Sequence, residues 1–126
     1  MTQVMIVDVD GIARATLSAA LARAGYGVCT SHCPVRARRL AEVATPNIAL
    51  VAVSAAEATL DLVRALKARF GRAIYIAAMT RELTPETRAV YVAAGADDVL
   101  AKPLALADLR RSVTAATRTR ATHVKQ

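Results

Sequence analysis

Five short apolar runs punctuate the sequence, and a stretch with helical spacing follows each of them. "QVMIVD" (3–8), "YGVCTS" (26–31), "NIALVAV" (47–53), "AIYIAAM" (73–79) and "DDVLA" (97–101) hold their apolar residues in continuous runs. A strand with one face in water alternates apolar and polar residues; a strand covered on both faces does not. The pattern therefore predicts a parallel sheet with helices packed on both sides.

The intervening segments carry helix punctuation. Residues 11–25 place Ile12, Leu17 and Leu21 on one side and end at Gly25, a natural C-terminal stop. Residues 34–44 begin with Pro34, tolerated in a first turn. Residues 54–71 open with a capping box, Ser54…Glu57, and close at Gly71. Residues 84–95 have Thr84 as cap, Pro85 next and Gly95 as stop. Residues 106–120 form a last helix that runs into a polar tail. Right-handed crossovers leave few ways to connect five such units. The expected fold is α/β: a doubly wound five-stranded parallel sheet in the order 2-1-3-4-5, a (βα)5 flavodoxin-like arrangement. One domain is expected over residues 1–117, with 118–126 a polar C-terminal tail or the start of a linker.

Hydrophobic residues make up 55% of the chain but aromatics only 3%, so the core must be aliphatic and rich in Ala. The formal net charge of +7 hints at an acidic partner or nucleic acid. The basic residues are spread over polar helix positions, which reads as a solvated Arg-rich surface. Four aromatic residues, Tyr26, Phe70, Tyr75 and Tyr91, are too few for base stacking, and nucleic acid is not expected as a partner of this chain alone. Cys29 and Cys33 are too few for a disulfide scaffold and lack the partners for a zinc site, so reduced thiols in a cytoplasmic protein are expected. No apolar run reaches membrane-spanning length, and no membrane partner is expected. There is no Ser/His/Asp set, no Cys/His pair and no Gly-rich phosphate loop, so the chain is not expected to be an enzyme.

Ligands of such sheets bind beyond the carboxyl ends of the strands. That singles out Asp8, Val9, Asp10, Ala52, Val53, Thr80 and Lys102. "VMIVDVDG", "ARAGYGV", "ATPNIALVAV" and above all "AAGADDVLAKPL" together resemble the receiver domain of two-component response regulators, from about residue 4 to residue 116. The resemblance implies phosphoryl transfer to an aspartate ending the third strand, with Mg²⁺ held by acids after the first strand. It also implies a Thr or Ser ending the fourth strand and a Lys-Pro pair after the fifth. A phosphoryl group concentrates negative charge, which explains the cation, the lysine and the carboxylate nucleophile.

Residue by residue, Asp8 matches the first acid and Asp10 a frequent third acid that is usually not a ligand. Thr80, Lys102 and Pro103 match the hydroxyl, the lysine and its proline, and the Lys102-Pro103 peptide is expected to be cis. Val9 falls where a metal-ligand acid belongs, Ala52 at the phosphoacceptor, and Val99 where many members carry a mobile aromatic. Two of the three carboxylates for a hard cation are thus missing, so Mg²⁺ binding is expected to be lost or very weak, with no other cofactor. Asp8 or Asp10 is expected to pair with Lys102, Asp10 to cap the first helix, and Thr80 to satisfy backbone groups.

The resemblance implies an atypical receiver acting by phosphorylation-independent protein–protein interaction in phosphorelay signalling. Its partner surface is implied over about Thr84–Arg118, for a homodimer, a histidine kinase or an output domain. Two alternatives stand beside it. One is a receiver switched by a small acidic ligand or a non-standard phosphosite near Lys102 and Thr80. The other is the regulatory domain of a DNA-binding protein.

Overall fold

The structure, a computed structural model, describes residues 1–54 and 56–124. Five strands alternate with five helices: β1 Gln3–Val7, α1 Gly11–Arg23, β2 Gly27–Ser31, α2 Pro34–Ala44, β3 Ile48–Ala52, α3 Ala56–Phe70, β4 Tyr75–Thr80, α4 Pro85–Ala94, β5 Asp98–Ala101 and α5 Leu106–Val124. All neighbouring strands are parallel, in the order β2-β1-β3-β4-β5. Fold class and strand order are as the sequence predicts.

The continuous apolar runs divide by parity. Met5 and Val7, Ala49 and Val51, Ile76 and Ala78 face one side and pack against Ala37 and Ala41 of α2, Val63 and Leu66 of α3, and Tyr91 of α4. Val4 and Ile6, Leu50 and Ala52, Ala77 and Met79 face the other, against Leu21 of α1 and Leu109 and Val113 of α5. The core is thus two aliphatic layers about one sheet, and all five residues of β3 are buried.

Most helix ends are built by the expected residues. Asp10 caps α1 and Thr84 caps α4, each through its side-chain oxygen. Gly95 ends α4 at φ 119°, and a Cβ there would lie 2.9 Å from Lys67 Cβ, so the position needs glycine twice over. Several boundaries shift by one or two residues, and three of the differences change the reading. Helix α3 begins at Ala56 rather than at Ser54; the expected capping box spans Ala55, which lies outside the described residues. Gly71–Ala73 forms a 3-10 turn, which delays β4 to Tyr75. Helix α5 continues through the segment expected as a tail, to Val124. No described helix is long and apolar enough to cross a membrane. Cys29 and Cys33 are both free.

Candidate functional site

The parallel sheet brings the ends of β1, β3, β4 and β5 to one edge. Asp8 lies just past β1 and is 4% exposed. Its Oδ2 accepts a hydrogen bond from Lys102 Nζ at 2.8 Å, and its Oδ1 accepts one from the Asp10 N–H at 3.0 Å. Of the two acids expected as partners of Lys102, the contact is made by Asp8. The lysine side chain is 15% exposed, so both charges are largely withdrawn from water and each compensates the other. The backbone around the pair is fixed as well: the Lys102 N–H donates to the Thr80 carbonyl at 2.7 Å, and the Lys102-Pro103 peptide is cis.

Asp10 works on the helix. Its Oδ1 accepts from the Ile12 N–H at 3.0 Å and the Ala13 N–H at 3.2 Å. The Ala13 and Ile12 amides, with Lys102 and Arg81 nearby, hold its carboxyl below the ordinary carboxylate value, although partial desolvation opposes them. Thr80, ending β4, turns its hydroxyl onto its own loop: it accepts from the Glu82 N–H at 3.2 Å and donates to the Glu82 carbonyl at 3.4 Å. The expectation that Thr80 serves the backbone agrees with this geometry.

The three departures have distinct surroundings. Ala52 ends β3, is 4% exposed, and stands in register with Met79. Its methyl belongs to the apolar layer facing α1 and α5. Val9 is 67% exposed, an isopropyl group in water beside the acid pair. Val99 is buried in β5, opposite Ala78. Tyr91 of α4 shares its apolar cluster and supplies the only aromatic ring fully buried there among the described residues. Burial pushes the Tyr91 phenol up, offset in part by Thr59, yet its hydroxyl has no hydrogen bond of ordinary geometry among the described residues.

Two residues of this edge, Arg14 and Arg81, and the core residue Tyr91 are not distinguished by sequence. Arg14 reads as a solvated helix charge, but its Nη1 donates to the Asp8 carbonyl at 2.6 Å and closes the β1–α1 turn. Arg81 follows Thr80 directly, and its Nη2 stands 3.9 Å from Asp10 Oδ2; position at a strand end was its one signal. Tyr91 has the helical spacing of a core residue and nothing that separates it from one. Ser54 is exposed, and its N–H lies 3.5 Å from the Thr59 hydroxyl, which joins the end of β3 to the first turn of α3.

No curated protein matches the chain by sequence. A family profile described as "Response regulator receiver domain" matches residues 4–114. Among solved structures, the chain is similar to the signal receiver domain of a modulated diguanylate cyclase from Desulfovibrio desulfuricans G20, with 28% identity, 98% of each chain covered and a TM-score of 0.83. It is similar to the chemotaxis protein CheY4 of Vibrio cholerae, with 25% identity, 92% of this chain and 98% of that one covered, and a TM-score of 0.84. A CheY-like receiver domain protein from Methanospirillum hungatei JF-1 shares the fold at a TM-score of 0.86 with 22% identity and 98% of each chain covered. With the profile spanning most of the chain and the fold shared with these structures, the protein belongs to the response regulator receiver domains of two-component signalling.

Proposed function

We propose that this receiver domain works without aspartyl phosphorylation, by binding other proteins. The observation that carries the reading is Ala52: a buried methyl group stands at the end of β3, where transfer would need a carboxylate nucleophile. Lys102, which in that chemistry would face the phosphoryl group, is engaged by Asp8 instead.

The donor set also does not fit a magnesium ion. A hard divalent cation requires several oxygen ligands. Val9 and Ala52 offer none, and both Asp8 carboxylate oxygens already accept hydrogen bonds. The same residues give no reason to assign an enzymatic turnover to the chain.

The partner surface proposed is the α4–β5–α5 face, about Thr84–Arg118. Val90 and Val92 of α4 are 47% and 49% exposed there, and Leu106 at the start of α5 is 42% exposed. The occupant class is a second copy of the chain, a histidine kinase or an output domain.

The direct test is incubation of the protein with acetyl phosphate and Mg²⁺, followed by intact mass measurement. No acid-labile phosphate adduct is expected. A stoichiometric adduct would overturn the reading.

A further inference from the structure

An open cleft of about 660 Å³ lies between α1 and the segment joining β5 to α5. Its walls are Ala13, Leu17 and Ala20 of α1 and Leu104 before α5, and Met79 forms the floor. The size follows from the sequence. Two of the facing positions on α1, Ala13 and Ala20, carry only a methyl group, and a chain with 3% aromatics has few rings to fill such a gap. A volume of about 300–1,000 Å³ with apolar walls and few polar groups is that of a small-molecule site.

Apart from Thr16 on α1, the polar groups of the lining sit together at the strand-end mouth. Asp8 and Lys102 neutralise each other at 2.8 Å, and Asp10 faces the α1 amides. Arg81 is different. Its side chain is 78% exposed, and its Nη2 stands 3.9 Å from Asp10 Oδ2, beyond hydrogen-bond length. A planar fork of donors at the mouth of an apolar cleft suits a carboxylate in bidentate geometry. Arg81 lies near Asp10 Oδ2, but that carboxyl keeps the two α1 amides on its Oδ1 and is 40% exposed to water, so it stays solvated when Arg81 turns to a ligand.

We propose that this cleft binds an organic acid with an apolar body. The body lies between α1 and Leu104, over Met79, and the carboxylate pairs with Arg81. Ala52 and Thr80 do not line the cleft, but Asp8, Asp10 and Lys102 stand at its mouth, so the cleft adjoins the strand-end site and extends from it along α1.

The test uses the whole chain with three probes of equal tail: decanoate, decylamine and decanol. Calorimetric titration is expected to show saturable 1:1 binding of decanoate, weaker binding of decanol and none of decylamine. Amide chemical-shift changes on decanoate binding should centre on Ala13, Leu17, Ala20 and Leu104. Arg81→Gln should weaken decanoate about tenfold, the worth of one charge-assisted contact, and leave decanol unchanged. Ala20→Leu, which fills the cleft from α1, should weaken both. Equal affinity for decylamine, indifference to Ala20→Leu, or the lack of any saturable binding would each overturn the proposal. An intact amide spectrum of each variant shows that its fold is retained.

Discussion

Lys102 Nζ lies 2.8 Å from Asp8 Oδ2, and this single contact ties the end of the first strand to the turn after the fifth. The two residues are 94 positions apart in sequence, and their strands are not neighbours in the sheet. The pair therefore braces the site edge across the two strands between them.

Breaking that brace from one side leaves a partly buried charge alone. Asp8→Ala is expected to destabilise the domain by about 3–5 kcal/mol. The double variant Asp8→Ala/Lys102→Met should recover more than half of the loss, since neither charge then remains. Urea denaturation of the wild type, both single variants and the double variant forms the cycle. Simple additivity would mean that the two side chains act independently.

Returning the nucleophile alone should not return the chemistry. Ala52→Asp places a carboxylate in the apolar layer beside Met79 and still leaves Val9 without an oxygen. It is expected to cost about 1–3 kcal/mol in stability, and to take up phosphate from acetyl phosphate and Mg²⁺ no better than background. Rapid labelling of this single variant, followed by intact mass, is the outcome that would show the magnesium site to be intact.

The buried Tyr91 hydroxyl offers a test of opposite sign. A polar group without a hydrogen bond of ordinary geometry contributes a desolvation penalty. Tyr91→Phe should be neutral or stabilising by up to about 1 kcal/mol, since the ring that packs α4 remains. A loss of more than that, read from denaturant midpoints, would place a hydrogen bond on this hydroxyl.

Stability should fall at both ends of the pH scale, for different reasons. The Asp10 carboxyl is held low by the Ala13 and Ile12 amides, so it releases its proton more readily in the folded state. Its contribution is present above the ordinary carboxyl range and disappears as pH falls through the lowered value. Asp10→Asn keeps a cap acceptor without the charge and should flatten the acid limb. Cys29, Tyr75 and Tyr91 are all pushed up by burial. The unfolded chain ionises them first, so stability declines as pH climbs past about 8.5 for thiols and about 10 for phenols. Thermal melts across pH should show a later alkaline onset in Cys29→Ala.

The architecture was legible because buried parallel strands leave an unambiguous signature. Ile48 to Ala52 has no polar residue, and only a two-sided cover explains that. The caps at Asp10, Thr84 and Gly95 were legible because their chemistry is local. What depended on close local crowding was not. The left-handed Thr45 that closes α2 carries no sequence sign, and the 3-10 turn at Gly71–Ala73 falls across the expected helix stop, Gly71, and the first residue of the expected strand, Ala73. At the site, strand-end position was enough to find Asp8, Thr80 and Lys102, but not to choose between Asp8 and Asp10 as the lysine's partner. That choice follows from Asp10 turning toward the α1 amides. Arg14 escaped because a helix Arg is identified as a site residue only by a distance across the fold.

The ring of Tyr91 and the glycine four residues later hold α4 from two directions. One lies in the core, the other is pressed against Lys67 of α3, whose Nζ also reaches Asp97 at 3.2 Å. On the proposed reading, no phosphoryl group arrives to shift a helix anchored in this way, and its partners meet one face. Such a surface carries no message in its shape. What a cell can vary is the number of copies, and mass action then makes abundance itself the signal: occupancy of the partner rises with the concentration of the chain and falls with its degradation.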